Sequence, residues 1–446
     1  MLNNGVEQLA WMRWRRLPNA GREAVGEARN ALLRGLVQDA AAHVPYFRRM
    51  LREAGIEPGR IRSPEDLRLL PVSQKSALRQ LPASDLLSDR FKARRLARFA
   101  TTGSTGVPFA VFKSSAELRA ALVLRLRVAR YFGLRVRDRV LRLTAEPPHP
   151  WYWRALESLG LYPGVPASLL EPPERLAEIV RQERPAVILG NAGVITMIAQ
   201  EISHGAPLEE PPRFVICGAE VLTSGMRQKT EQAFRCSVFD SYSCVETMHP
   251  VAWQCRKTGL YHVCDDALIL EVLRDGNPVA EGDEGEAVVT SLVSHAMPVI
   301  RYAQGDLVAR GPSPCPCGSP FSTLISIRGR MTDYLLLPGG RRLFASSLAY
   351  VFHRTADWIL RYELVQESIS SVILRASVLR SPLEAEVAQL IRECSRLLSK
   401  GVEMRVELVE RLEGTPGTKF RVLRSCLESP YSCASTGASA EVVRDG

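Results

Sequence analysis

At 446 residues, with 46% hydrophobic and 24% charged positions, the chain has the make-up of a globular protein with a sizeable buried core, spread over roughly two or three domains. The net charge of +10 invites a polyanionic partner, yet lysine stands only at Lys75, Lys92, Lys113, Lys229, Lys257, Lys400 and Lys419, and no basic stripe interleaved with aromatics marks a nucleic-acid groove. The start lacks the order of a secretory signal, the apolar run from Pro185 is too short and too polar at Asn191 to span a bilayer, and ten cysteines read as thiols or metal ligands, so a cytoplasmic chain without disulfides is expected.

In chain order, Arg13, Arg15 and Arg16 beside Trp11 and Trp14 read as a packed amphipathic helix. Apolar residues recur at helical spacing from Val25 to Gly55, with a second helix opening after Pro45. Ser63-Pro64-Glu65 and Ser73 are further helix starts. The strand-like RLARFATT then meets TTGSTGVPF and the strand-like VPFAVFKS, which places the glycine stretch at a hairpin tip. There Thr101, Thr102, Ser104 and Thr105 surround Gly103 and Gly106, and Pro108 closes the turn. Hydroxyls and bare backbone N–H groups in that arrangement can wrap an anion. The Gly-Lys-Ser/Thr ending of a Walker A loop is missing, which excludes P-loop chemistry.

From Ala116 to Ser243 helical and strand patterns alternate, which predicts an α/β sheet with ligand-binding residues at the carboxyl ends of its strands. Gly218, Ala219 and Glu220, and Ser241, Tyr242 and Ser243, fall at such ends. From Gly259 to about Gly329 short strands with glycine turns suggest a barrel-like subdomain. Residues 359–366 and 372–378 read as strands, 382–398 as a helix and 402–409 as a strand, a small α+β domain. The expected domains are therefore 1–330, 331–428 and a disordered tail at 429–446.

The order TTGSTGVP, CGAE, SYSCVET, RYAQGDL, GRMTD and GTKFRV, with VPYFRRML and DLRLLPVSQK ahead of it, resembles the acyl-adenylate-forming (ANL) superfamily, in its phenylacetate-CoA ligase and CapK-like branch. The resemblance implies ATP held by Thr102, Gly103, Ser104, Thr105 and Gly106 at its β- and γ-phosphates. It implies Gly218, Ala219 and Glu220 against adenine, Ser241, Tyr242 and Ser243 over the base, Asp306 on the ribose and Arg330 at the same nucleotide. Glu246 would hold magnesium, and Lys419 would neutralise charge as a carboxylate attacks the α-phosphorus. Asn191, Ala192, His249 and Pro250 are candidate liners of the acid pocket, with His249 a wall or a base. Two departures stand out: Thr332 precedes Asp333 in the hinge motif, and Cys244 follows Ser243 where it reads as a packed small residue and not a nucleophile.

Cys255, His262, Cys315 and Cys317 make the soft ligand set of tetrahedral structural zinc, with Cys264 able to replace one of them. Relatives in the branch have a similar grouping. The activity implied is ATP- and magnesium-dependent activation of a carboxylic acid, aryl or small, followed by transfer to CoA. Formation of an amide, adenylylation of a hydroxyl, and a catalytically silent zinc-stabilised scaffold are the alternatives. A homodimer is an open possibility; nucleic acid and membrane are not expected as partners.

Overall fold

A computed structural model of the chain describes residues 21–101, 109–144, 157–169, 171–222, 224–330, 334–344, 348, 351–352, 355–356, 358–378, 380–410, 412 and 423–427. The N-terminal arginine cluster, the loop at 102–108, the Thr332-Asp333 pair, Lys419 and the tail lie outside them. The described residues fall into two compact units, one within 21–330 and one from 334 onward.

The first unit opens with helices Arg22–His43 and Pro45–Glu53. Leu33, Leu36, Val37 and Phe47 on them are buried against Ile269, Leu292 and Ile300, so the helical preamble is part of the body. Each such apolar side chain contributes about 1.5–3 kcal/mol of burial. Ser63 caps a 3-10 helix, Pro64–Leu69, in a capping box with Asp66. At Ser73 the expected helix start is instead a short strand, β1 (Ser73–Gln74), paired in parallel with residues Tyr302 and Ala303; the helical turn begins at Lys75. The strands β2 (Ala97–Thr101) and β3 (Phe109–Lys113) form an antiparallel pair with Thr101 opposite Phe109, so residues 102–108 connect the two arms of a hairpin. Helix Ser115–Phe132 follows, capped by Ser114 and Glu117 and ended by Gly133 at φ +114°.

The parallel half of the main sheet comprises β4 (Val140–Thr144), β5 (Gly164–Ser168), β6 (Val187–Asn191), β7 (Phe214–Gly218) and β8 (Ser237–Ser243). Alternation along these strands divides two cores. Val140, Val187, Phe214 and Ile216 face one, while Leu141, Ile188, Val215, Cys217 and Val238 face the other. Helices Pro173–Glu183, Ala192–His204 and Ser224–Phe234 cover the second face through Leu176, Val180, Ile195, Ile198 and Phe234. Helix Ser115–Phe132 covers the first through Leu118, Leu124, Val128 and Phe132. Strands buried on both faces read as apolar runs, which is why VILG and FVIC look alike in sequence.

Beyond β8 the ladder turns antiparallel through β9 (Pro250–Gln254), β10 (Tyr261–Val263), β11 (Leu268–Arg274), β12 (Asn277–Pro278), β13 (Glu284–Ser291), β14 (Tyr302–Arg310) and β15 (Thr323–Arg330). The order is β12-β11-β13-β14-β15-β10-β9-β8-β7-β6-β4-β5, so the barrel-like region continues the same hydrogen-bonded ladder.

The second unit has a hairpin, β16 (Tyr334–Leu336) with β17 (Arg342–Phe344), and a sheet of β18 (Ile359–Ser368), β19 (Ser371–Val378), β20 (Glu403–Leu408) and β21 (Leu423–Ser425) in the order β20-β19-β18-β21. Helix Glu384–Ser395 buries Leu390 and Cys394 in a core with Trp358, Leu364 and Leu374. The fully buried Gln366 amide joins hairpin to sheet, accepting from Leu336 N at 3.0 Å and donating to Leu336 O at 2.7 Å.

Candidate active site and metal centre

The register of the parallel strands sets the first group of residues. Asn191 pairs with Gly218 and Gly218 with Ser241, so the last residues of β6 and β7 lie abreast of Ser241 near the end of β8. A Cβ on Gly218 would meet Ser241 O at 2.9 Å, which explains glycine at a crowded crossing of backbones. Ala219 follows at φ +63° and turns the chain so that Glu220 reaches back, accepting from Gly193 N–H at 3.0 Å at the start of helix Ala192–His204. Glu220 is exposed, Asn191 half-buried and Ala192 fully buried.

Next to these, β8 brings Tyr242 inward while Ser243 stays exposed. The Tyr242 hydroxyl lies 2.7 Å from Asp306 Oδ2 and 2.6 Å from the Gln304 side-chain amide, joining β8 to β14. With one proton to give, the phenol favours the carboxylate. Burial and that carboxylate push the Tyr242 phenol well up, so it stays protonated. Arg330 stands opposite Asp306 in the register of β14 with β15.

Glu246 sits on the connection between β8 and β9 and is 6% exposed. Its Oε1 accepts from Lys75 Nζ at 3.0 Å and from the Tyr302 hydroxyl at 2.7 Å. Burial pushes its carboxyl up, but the Lys75 charge and the Tyr302 hydrogen bond outweigh it, and the group is held below the usual carboxylate range. Lys75, Tyr302 and Gln304 lie inside DLRLLPVSQK and RYAQGDL, where sequence alone gives them no partner. Cys244 is half-buried, and desolvation with the Glu246 charge pushes its thiol up to about 12, as suits a packed residue rather than a nucleophile.

His249 requires a correction. It has no exposed surface, Nδ1 lies 2.9 Å from Pro250 O, and Nε2 lies 3.4 Å from Ser291 Oγ. Burial first, with the Lys113 and arginine charges adding to it, lowers the imidazole to about 4. Both ring nitrogens are engaged inside the body, with no face open to solvent, and the adjacent Pro250 is buried too. The small cavity beside Glu246, about 20 Å³ between Ser73, Phe109, Val111 and Met297, is too small for a carboxylic acid.

The second constellation lies at the antiparallel end. One ligand atom each from Cys255, His262, Cys315 and Cys317 lies within 4.8 Å of every other. Cys255 follows β9, His262 is on β10 and the last two are on the connection from β14 to β15. Cys317 Sγ is 3.3 Å from His262 Nε2. Burial lowers the His262 imidazole to about 4, keeping it in the neutral form that ligates metal. Tetrahedral zinc, with bonds of about 2.0–2.3 Å, needs ligand atoms slightly closer than this upper bound, so the donor set fits it. Cys264 is not part of the cluster: Arg127 Nη2 donates to its Sγ at 3.1 Å and Sγ lies 3.7 Å from Asp266 Oδ1.

The large sheet, parallel at one end and antiparallel at the other, with a separate α+β unit is the fold of adenylate-forming CoA ligases, and comparison with known proteins agrees. The family described as AMP-binding enzyme matches residues 96–293. A phenylacetate-coenzyme A ligase of Thermus thermophilus is 28% identical over 366 residues, covering 78% of this chain and 79% of that protein. The Escherichia coli phenylacetate-coenzyme A ligase is 26% identical over 324 residues, covering 69% and 71%. A 2-hydroxyisobutyryl-CoA ligase in the post-adenylation state, complexed with R3-HIB-AMP, superposes with a TM-score of 0.78 at 21% identity over 92% of this chain and 91% of its own. In sequence and in fold the chain is similar to acyl-adenylate-forming enzymes, and among them to phenylacetate-CoA ligases. Among the described residues no helix is long and apolar enough to cross a membrane.

Proposed function

We propose that this chain activates a carboxylic acid, aryl or small, as its acyl-adenylate and passes the acyl group to CoA. The carboxylate oxygen attacks the α-phosphorus of ATP and pyrophosphate leaves; the CoA thiol then attacks the acyl carbonyl, loses its proton and displaces AMP. Such chemistry needs charge stabilisation and alignment more than covalent participation by the protein. The observation that carries the reading is the alignment of Asn191, Gly218 and Ser241 across three strands, beside a Tyr242 tied to Asp306. Gly218, Ala219 and Glu220 take the adenine, Tyr242 covers it and Asp306, with Arg330 opposite, takes the ribose. Thr102 to Gly106 take the phosphates, and Lys419 supplies the ammonium at the α-phosphorus.

Glu246 is the residue that would hold magnesium, whose charge would neutralise the departing pyrophosphate. A buried carboxylate kept ionised suits one protein ligand beside phosphate oxygens. Lys75 is the cation this carboxylate faces here, so it belongs to the same charge balance. Cys255, His262, Cys315 and Cys317 hold a structural zinc away from the chemistry.

The test is incubation with a panel of aryl and short aliphatic acids, Mg-ATP, and CoA, an amine, a hydroxyl acceptor or none. Acid-dependent AMP release with thioester appearing only in the CoA arm is expected. AMP release with amide or ester as product moves the acceptor, and no acid-dependent AMP in any arm overturns the reading.

A further inference from the structure

Lys113 is a lysine with 1% exposure, at the end of the strand that returns from residues 102–108. Burial lowers its ammonium, and the charges of Glu117 and Glu246 act against that. A cation so placed needs a reason. Its Nζ donates to Ser294 Oγ at 2.6 Å, Ser294 Oγ donates to Ser291 Oγ at 3.0 Å, and Ser291 Oγ lies 3.4 Å from His249 Nε2. Ser291, Ser294 and His249 are all at most 1% exposed.

Both ends of this chain have fixed polarity. An ammonium only donates, and the Pro250 carbonyl 2.9 Å from His249 Nδ1 only accepts. The proton of the ring must therefore sit on Nδ1, leaving Nε2 to accept from Ser291, which accepts from Ser294, which accepts from Lys113. One arrangement of protons satisfies every member, and cooperative polarisation favours it. The same three segments are tied elsewhere: Glu117 Oε1 accepts from the backbone of His295 at 2.6 Å and Ala296 at 2.9 Å, and Arg125 Nε donates to Met248 O at 2.9 Å. Met248 is at φ +63°, a conformation a side chain-bearing residue adopts only when held.

Resting on the adenylation reading above, we propose that Lys113 is a positioning residue: the donor end of the chain Lys113, Ser294, Ser291, His249, Pro250, it fixes the His249 tautomer. It thereby holds the turn bearing Glu246 in register with the strand that leaves residues 102–108. The carboxylate proposed to hold magnesium and strand Phe109–Lys113 then share one buried reference.

The experiment compares Lys113→Met, Ser294→Ala and Ser294→Thr in the full chain, by acid-dependent ATP-pyrophosphate exchange and by ¹⁵N spectra of histidine-labelled protein, with His249 assigned through His249→Gln. A neutral Nδ1–H tautomer is expected in the wild type. In Lys113→Met and Ser294→Ala the Nε2 resonance shifts and kcat falls about ten- to hundred-fold with KM values for ATP and acid within about two-fold; Ser294→Thr restores both. Should Lys113→Met not fold, the Ser294 pair carries the test. An Nε2–H tautomer in the wild type, or Ser294→Ala with unchanged kcat and an unmoved resonance, overturns the proposal. Absence of exchange in the wild type with every acid refutes the adenylation reading instead, and the His249 spectra still decide the chain.

Discussion

The two polar constellations of the first unit balance their charge in opposite ways. Around the strand ends, polar groups neutralise one another: Lys75 and Tyr302 occupy Glu246, and Tyr242 is held by Asp306 and Gln304. At the antiparallel end, three thiols and an imidazole converge within 4.8 Å with no cation among them. Their contacts are weak ones to sulfur, such as Cys317 Sγ to His262 Nε2 at 3.3 Å, whereas a carboxylate with an ammonium makes a charge-assisted bond. On the proposed reading, the first site exchanges strong partners for a nucleotide and the second exchanges weak ones for an ion.

The largest effect tests the nucleotide side. Lys419→Ala is expected to retain its fold and lose about 100- to 1000-fold in acid-dependent ATP-pyrophosphate exchange, since a point ammonium at a developing charge is replaced by nothing. Unchanged exchange would refute the role. On the metal side, protein purified without chelator is expected to carry about one zinc per chain, and Cys315→Ala with Cys317→Ser to lose it. Thermal unfolding of that variant should fall by about 10 °C, the equivalent of several kcal/mol in a unit of this size. A zinc content well below one in the wild type removes the metal and with it this half of the contrast.

How much of this was legible beforehand follows from the kind of signal each feature leaves. The alternation of VILG, FVIC and SVFDSYS with amphipathic helices prescribes a sheet covered on both faces, and Val187 and Ile188 do point to opposite cores. The convergence of Cys255, His262, Cys315 and Cys317 was equally readable, because soft donors carry their chemistry in their names; only geometry, through Arg127 and Asp266, separated Cys264 from the group. The surroundings of His249 are hidden in SYSCVETMHP, because a histidine there looks the same whether its ring faces a pocket or a serine. Lys75 and Tyr302 escaped because their partnership with Glu246 spans 171 and 56 residues, and no local pattern encodes it.

A smaller effect sharpens the reading of Glu246. Lys75→Met leaves a buried carboxylate without its cation, at a cost of about 3 kcal/mol near neutral pH. In the wild type the carboxyl is held below its ordinary value, so its contribution is present above the unfolded pKa and fades as pH falls through the folded one. Without Lys75 the burial term prevails, and the gap between variant and wild type in urea unfolding should therefore narrow from pH 7.5 to pH 4. A gap independent of pH would mean that the lysine acts through its stem and not its charge.

The smallest effect comes from Asp240, next to Ser241 and 5% exposed, where the contrast is least complete. Its Oδ2 accepts from the Tyr261 hydroxyl at 2.8 Å, yet burial prevails over that bond and over Arg227 and raises the carboxyl to about 6. A carboxyl whose folded pKa lies above the unfolded 3.8 favours the native state in its protonated form, and that advantage is lost as pH rises through about 6. Asp240→Asn keeps an acceptor for Tyr261 and cannot ionise. It should therefore match the wild type in unfolding free energy near pH 3.5, below the unfolded 3.8, and exceed it by about 2–3 kcal/mol at pH 8. Equal stability at both values would show that Arg227 already balances this carboxylate, making the strand-end region self-neutralised throughout; a gain confined to pH 8 would mark Asp240 as the one charge there kept at the expense of stability.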